Sequence, residues 1–302
     1  MSLTMSATSA TPEPVAAAAV ESLPTVLEGE AQSARGQWRT TRLTALRLSS
    51  SVAAAAVGFV AGVDSDTRDA AYGAAALFAV ALLAEILLWV LKPDRDWYDG
   101  RALAESAKSL GWKYAAGGDP FPMTLSATGA ENLFVGRMAE LVSIHPRPRV
   151  AAVGEVLAPQ LRAARAELLL KRRHAFMTGR VVDQQNWYAG KANAADDAAT
   201  RWKIGLVVAE VAGVLSALLF AAGTISFDVG AIAAAALSGG AAWLTLKQYE
   251  QLSEAYAVTA DELGVALSKL QLATTEEAWA VEVANAEDAI SREHTLWRAR
   301  RR

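Results

Sequence analysis

The chain has 302 residues, 53% of them hydrophobic and 20% charged, with a formal net charge of -3. That charge leaves no global electrostatic case for nucleic acid, and the absence of cysteine excludes disulfides and thiolate metal sites. Strongly apolar blocks alternate with charged stretches, the pattern of a membrane protein rather than of two soluble domains.

Residues 1–34 carry no Lys or Arg, hold Glu13, Glu21, Glu28 and Glu30, and are rich in Ala, Ser, Thr and Pro. They read as a disordered acidic tail with no signal peptide. The first apolar block, Leu48 to Val63, is short and Ala-rich; counted from Leu43, with Arg47 snorkelling, it is long enough to span a bilayer. The second, Ala70 to Leu91, contains Glu85 as its one charge. The connection between them, Asp64 to Asp69, fits only a tight helical hairpin.

Pro93 and Asp94 stop the second block. A helix over Trp97 to Tyr114 is expected next, then a turn cluster at Gly117 to Pro122, then a helix over Ala127 to Ile144 ended by His145-Pro-Arg-Pro148. From about Val156 one long helix is expected to reach the membrane, with Leu157, Leu161, Ala164 and Leu168 on one stripe. The third apolar block, Ile204 to Ile225, again has one charge, Glu210. At 1.5 Å per residue it is about 33 Å long, enough for a hydrocarbon core of about 30 Å. The fourth, Phe227 to Leu246, follows after Ser226 alone, with Asp228 at its outer end.

Beyond it, Tyr249, Tyr256, Leu263 and Leu270 recur every seven residues, with Leu252 and Ala266 filling some intermediate positions, as in a short coiled-coil seam. Thr274-Thr-Glu-Glu277 has the form of a capping box. In the last helix Trp279, Val283, Ala286, Ile290 and Trp297 share one face, and the chain closes on Arg298, Arg300, Arg301 and Arg302. The expected fold is an all-α integral membrane protein: two transmembrane helical hairpins, four helices in all, with long cytoplasmic helices. Three segments are expected: the tail, a two-helix membrane unit at 35–150 and a second at 151–302. Arg35, Arg39, Arg42, Arg47, Lys92, Arg95, Arg101, Arg201, Lys203 and Lys247 all flank the same ends of the apolar blocks, whereas the hairpin tips hold only Arg68. Both termini and the middle segment are therefore expected on the cytoplasmic side.

Glu85 and Glu210 are the most informative side chains. A carboxylate in an apolar helix costs a few kcal/mol unless paired or hydrated. Glu85 lies seven residues before Lys92 and Glu210 seven after Lys203, so their depths match. They either face a wet path or each other, as in a cation-conducting ring, or are near-interface residues that snorkel or pair with a neighbouring Lys or Arg. The Glu210 face continues in Gly213, Ala217 and Ala221, a small-residue stripe that admits close helix packing. Similar spacings occur at Gly58 and Gly62 and around Ser238, Gly239 and Gly240. Trp97-Tyr98-Asp-Gly-Arg101 and Trp187-Tyr188-Ala-Gly-Lys191 are similar segments, read either as aromatic packing of cytoplasmic helices or as docking points between the two halves. His145, His174 and His294 are isolated, and no nucleotide-binding or catalytic motif is present, so no enzymatic activity and no cofactor are expected. Lys171-Arg-Arg-His174 reads as a solvated helix face.

Gln185, Trp187, Tyr188 and Lys191, followed by an apolar hairpin and a trailing helix ending Ser291-Arg-Glu293-His294 and Trp297, resemble one subtype of the SLATT superfamily. The name denotes SMODS and SLOG-associating two-transmembrane effector domains of bacteria. Arg101, Ala104, Glu105, Ser106 and Lys108, with Trp112 and Gly117-Gly-Asp-Pro-Phe121, resemble a second subtype. The resemblance implies a multi-pass effector of the inner membrane, forming or regulating a pore in a bacterial conflict or defence response. No nucleotide-generating or nucleotide-sensing domain is visible in the chain, so the trigger would come from a separate nucleotide-sensing or signalling partner. Besides membrane lipid, the expected partner is a second copy of the chain, because four helices rarely enclose a water path alone. The alternative is a membrane-anchored scaffold or signalling adaptor without conduction.

Overall fold

The structure, a computed structural model, describes residues 15–63, 68–144, 154–225 and 230–299. Among these residues every regular element is helical: α1 Val15–Glu21, α2 Pro24–Val63, α3 Arg68–Leu91, α4 Pro93–Ala116, α5 Ala127–Ile144, α6 Pro159–Ala166, α7 Leu169–Phe176, a π-helical turn Met177–Val182, α8 Asp183–Ala221, α9 Gly230–Lys247, α10 Tyr249–Leu272 and α11 Glu276–Ala299. Two helical runs are long and apolar enough to cross a membrane, α3 and the continuous run Leu169–Ala221 that ends in α8. Only 17% and 6% of their apolar windows are buried within the chain, as lipid-facing helices require. The first hairpin tip at 64–67, the break at His145 to Pro148, the link Ser226 with Phe227 and Asp228, and Arg300 to Arg302 lie outside the described residues.

One helical plan occurs twice. Helix α2 (40 residues) is followed by α3 (24) and α4 (24); α8 (39) is followed by α9 (18) and α10 (24). In each case a single left-handed residue joins the last two helices, Lys92 at φ 41° and Gln248 at φ 49°. Their N–H groups still donate to Leu88 and Leu244, one turn back, so the preceding helix closes before the chain changes direction. Pro93 then opens α4, at the first helical position where its missing N–H costs nothing.

The described residues divide into two compact units. The first comprises Met1–Glu30, Gly100–Trp187 and Thr259–Arg302. Its core is aromatic. Trp112 packs edge-on to Phe176 at 5.9 Å, and Phe176 edge-on to Trp279 at 5.9 Å; Tyr114 lies 4.9 Å from Phe134 and 5.7 Å from Phe121. Trp279, Val283, Ala286 and Ile290 of α11 are buried together, as their spacing predicts; the side chain of Trp297 lies outside those described. Leu263 and Leu270 of the heptad stripe are fully buried in this unit.

Three expectations change here. Residues 15–34, read as a disordered tail, are helical on both sides of a turn at Ser22, with Val20, Leu23 and Val26 buried. Two of the acidic residues that suggested a tail are anchored: Lys108 bonds Glu21 at 2.9 Å and Glu30 at 2.7 Å. Burial pulls the Lys108 pKa down, but the two carboxylates outweigh it and hold the pKa above its ordinary value. The long helix expected from Val156 is interrupted. Glu167 and Leu168 are extended (ψ 157° and 150°), which separates α6 from α7. Leu157 and Leu161 are buried as expected, but the break turns Leu168 outward, and it is 75% exposed. Arg172 donates to Glu167 O at the break, at 3.0 Å, while Arg165 donates to the carbonyls of Tyr114, Phe121 and Pro122 at the end of α4 and in the turn after it. Burial lowers the Arg165 pKa. Finally, the N-cap of α11 is Thr275, whose Oγ1 accepts from Ala278 N at 3.2 Å. The expected box, with Thr274 opposite Glu277, is displaced by one residue, so the third helical position holds Ala278 and has no carboxylate to reach back.

The second unit comprises Ala31–Asp99 and Tyr188–Val258. Here α2 meets α3, where a Cβ on Gly58 would lie 3.9 Å from Ala74, and α9, where one on Gly239 would lie 3.6 Å from Val52. Helix α9 meets α8 through Trp202 and Trp243, 6.2 Å apart, and through Gly240, against which Leu206 packs. The closest approach is at Gly36 of α2. A Cβ there would stand 2.3 Å from the backbone N of Trp97 and 2.7 Å from Pro93 O. Backbone cannot rotate away, so Gly36→Ala is expected to cost about 1–3 kcal/mol of stability. Gly136→Ala, on α5 with open space around its Cβ, should be neutral or stabilising by up to about 1 kcal/mol. Thermal unfolding of the two purified variants tests the contrast; equal midpoints would refute it.

Candidate functional site

Glu85 and Glu210, matched in depth along the sequence, have different surroundings. Arg47 Nη1 of α2 donates to Glu85 Oε2 of α3, closing an ion pair between residues 38 positions apart. Both side chains stay partly accessible, at 34% and 52%. Arg47, expected to snorkel, instead turns to its neighbouring helix. Glu210 is exposed on α8, between exposed Val207, Val208, Val211 and Val214. Among the described residues it has no ion-pair or hydrogen-bond partner. Nor do the two occupy equivalent places in the repeated plan, since Glu85 lies on a return helix and Glu210 on an entering one.

The small-residue stripe beside Glu210 splits. A Cβ on Gly213 would meet Ala233 of α9 at 3.4 Å, so Gly213 serves packing within the chain. Ala217 and Ala221 are exposed with Glu210. Ser216 is 8% exposed and lies on the packed side, one turn beyond Gly213. Its hydroxyl, buried in the α8 interface, was not anticipated from the sequence.

The paired aromatic segments are also resolved residue by residue. Trp97 and Tyr98 lie 4.7 Å apart, and Trp97 presents its backbone to Gly36. In the first unit, Arg101 of the first segment sits over the Trp187 ring of the second, 5.4 Å from its centre, a cation–π contact between the two halves of the chain. In the second unit, Tyr188 is buried against Tyr256 at 5.9 Å. Lys191 is exposed.

Sequence reasoning missed the most strongly buried charges. Arg180, in the π-helical turn, is 3% exposed and donates through Nε and Nη2 to the two oxygens of Glu287, which is 0% exposed, at 3.0 and 3.1 Å. Glu105 Oε2 stands 3.9 Å away. Burial lowers the Arg180 pKa, but the neighbouring carboxylates outweigh it and raise the pKa above its ordinary value. The Lys171-Arg-Arg-His174 stretch, read as a solvated face, is partly internal. Arg172 is buried and donates to Ala116 O at 2.6 Å and to Glu276 at 2.5 Å; Arg173 donates to Ala273 O at 2.7 Å. A cluster of basic residues looks solvated when its partners lie 56 positions upstream and about a hundred downstream.

Residues 27–173 match the family model described as SMODS and SLOG-associating 2TM effector domain 3, and residues 176–297 match SMODS and SLOG-associating 2TM effector domain 1. No curated protein and no solved structure matches the chain. The two matched segments share one core in the first unit: Arg172 and Ala116 of the first contact Glu276 and Trp279 of the second. With nearly the whole chain accounted for by two adjoining subtypes of one two-transmembrane effector domain, the protein is a membrane protein of the SLATT superfamily carrying both in tandem.

Proposed function

We propose that the chain acts as a homo-oligomeric effector that forms or regulates a pore in a bacterial conflict or defence response, released by a separate nucleotide-sensing or signalling partner. In this reading four helices cross the inner membrane as two hairpins: the apolar part of α2, α3, the apolar part of α8, and α9. Both termini lie in the cytoplasm, as the Lys and Arg at the helix ends favour. The observation that carries the reading is the exposed Glu210 carboxylate on an apolar helix, without a partner among the described residues. In hydrocarbon such a group costs a few kcal/mol, so its face needs water or a polar neighbour, and an oligomer around a wet path supplies both. Exposed Ala217, on the same face, leaves room for that approach. Glu85, held by Arg47, is assigned the lesser part of positioning α2 against α3.

Purified full-length protein in liposomes, with ion and dye flux as the readout, tests the proposal. Glu210→Gln should remove most of the cation preference, whereas Glu85→Gln should act mainly through stability. Background flux under every trigger tried, with only monomer crosslinked in native membranes, would sink the pore. The scaffold alternative would then stand, supported by an Arg47–Glu85 pair that neutralises its charge within one chain.

A further inference from the structure

We infer that α2 carries a binding surface for anionic phospholipid headgroups, made by Arg35, Arg39 and Arg42 around Trp38. The inference rests on α2 entering the bilayer, part of the reading above, and does not require conduction. At 3.6 residues per turn, Arg35, Trp38, Arg39, Arg42 and Leu46 fall within an arc of about 100°. All five are exposed, Trp38 at 61%. Gly36 and Thr44, on another side of the helix, are buried, so the helix is seated and presents this stripe outward.

Among the described residues the charge on the stripe is uncompensated. From Ala31 to its end, α2 contains no Asp or Glu. Among the described residues Arg35 bonds only Ala31 O, at 3.2 Å, and Arg42 lies 5.6 Å from the centre of the Trp38 ring. None of the three arginines has a carboxylate partner among the described residues, whereas Arg47, further along the same helix, takes Glu85. Position argues for lipid. The stripe runs without interruption into the apolar run that starts at Leu43. The three arginine Cα positions fall about 1.5 to 12 Å outside that boundary. This is the headgroup layer and its adjoining Debye layer, within reach of long guanidinium side chains. An exposed tryptophan at that level is the side chain that favours a membrane interface. An acidic protein would satisfy the charges but not the continuity of Trp38 and Leu46 with the hydrocarbon edge.

The test measures competition between spin-labelled phosphatidylglycerol and phosphatidylcholine for the full-length protein in nanodiscs. Wild type should prefer the anionic lipid, and 1 M salt should weaken that preference. Each arginine near an anionic surface is worth about fivefold, so the triple variant Arg35→Gln, Arg39→Gln, Arg42→Gln should lose on the order of a hundredfold. The triple lysine variant should keep most of the preference, because point charges suffice, and Arg137→Gln should leave it unchanged. Equal association of the two lipids with wild type, or an unchanged preference in the triple glutamine variant, overturns the inference. So does arginine-dependent capture of polyglutamate without lipid selectivity, which would assign the stripe to an acidic protein. Lost flux with the lipid preference intact counts against the pore alone. A Val52→Cys variant that reacts freely with an impermeant maleimide on intact vesicles would place α2 outside the bilayer and overturn both.

Discussion

Replacing Glu287 with alanine is expected to destabilise the fold by about 3–5 kcal/mol, because it strands the buried Arg180 guanidinium. Arg180 is 3% exposed and gives two of its donors to this one carboxylate. A guanidinium is in effect always protonated in a protein, so Arg180 cannot relieve the loss by deprotonating. Glu105, at 3.9 Å and itself 22% exposed, compensates only in part. By contrast Glu140→Ala, which breaks the exposed Arg137–Glu140 pair, should change stability by less than about 1 kcal/mol. Denaturant unfolding in detergent, followed by near-ultraviolet circular dichroism, reads both. The joint change Arg180→Met with Glu287→Leu should recover much of the loss, since two apolar side chains leave no orphaned charge. A Glu287→Ala variant as stable as Glu140→Ala would mean that water reaches Arg180.

Trp279→Ala is expected to cost a similar amount, about 3–5 kcal/mol, for a different reason. The ring is fully buried between Phe176, edge-on at 5.9 Å, and Arg173, 5.6 Å from the ring centre. Its Nε1 donates to Ala116 O at 2.9 Å. Truncation leaves a cavity at the point where the two matched domains share their core. Trp279→Phe keeps most of the volume, and Ala116 O still accepts from Arg172, so that variant should lose only about 1 kcal/mol. The ordering alanine, then phenylalanine, then wild type in unfolding midpoint checks the assignment. Equal losses for the two variants would show that the hydrogen bond, not the packing, dominates.

Much of the helical layout is legible in the chain. Apolar runs of bilayer length mark α3 and the end of α8, and the spacing of Trp279, Val283, Ala286 and Ile290 marks the buried face of α11. The motifs around Trp187 and Glu105 identify the superfamily. The failures have one origin. Composition made residues 15–34 part of a tail because Ala, Ser, Thr, Pro and Glu without Lys or Arg are what tails contain; the segment folds because Val20, Leu23 and Val26 find a buried place, with Lys108, far along the chain, holding Glu21 and Glu30. A basic cluster looked solvated because the acceptors of Arg172 and Arg173 lie on other elements. Helical spacing carried the Leu157 stripe through to Leu168, although the backbone turns at Glu167.

Glu85 and Glu210 show the same division. The sequence by itself determined that each is a lone carboxylate on an apolar helix, seven residues from a lysine, because hydropathy and rise per residue are local properties. Only the tertiary structure decided that Glu85 is neutralised by Arg47 while Glu210 meets no partner among the described residues. Pairing depends on which helices lie side by side, and two residues 38 positions apart carry no local sign that they will meet.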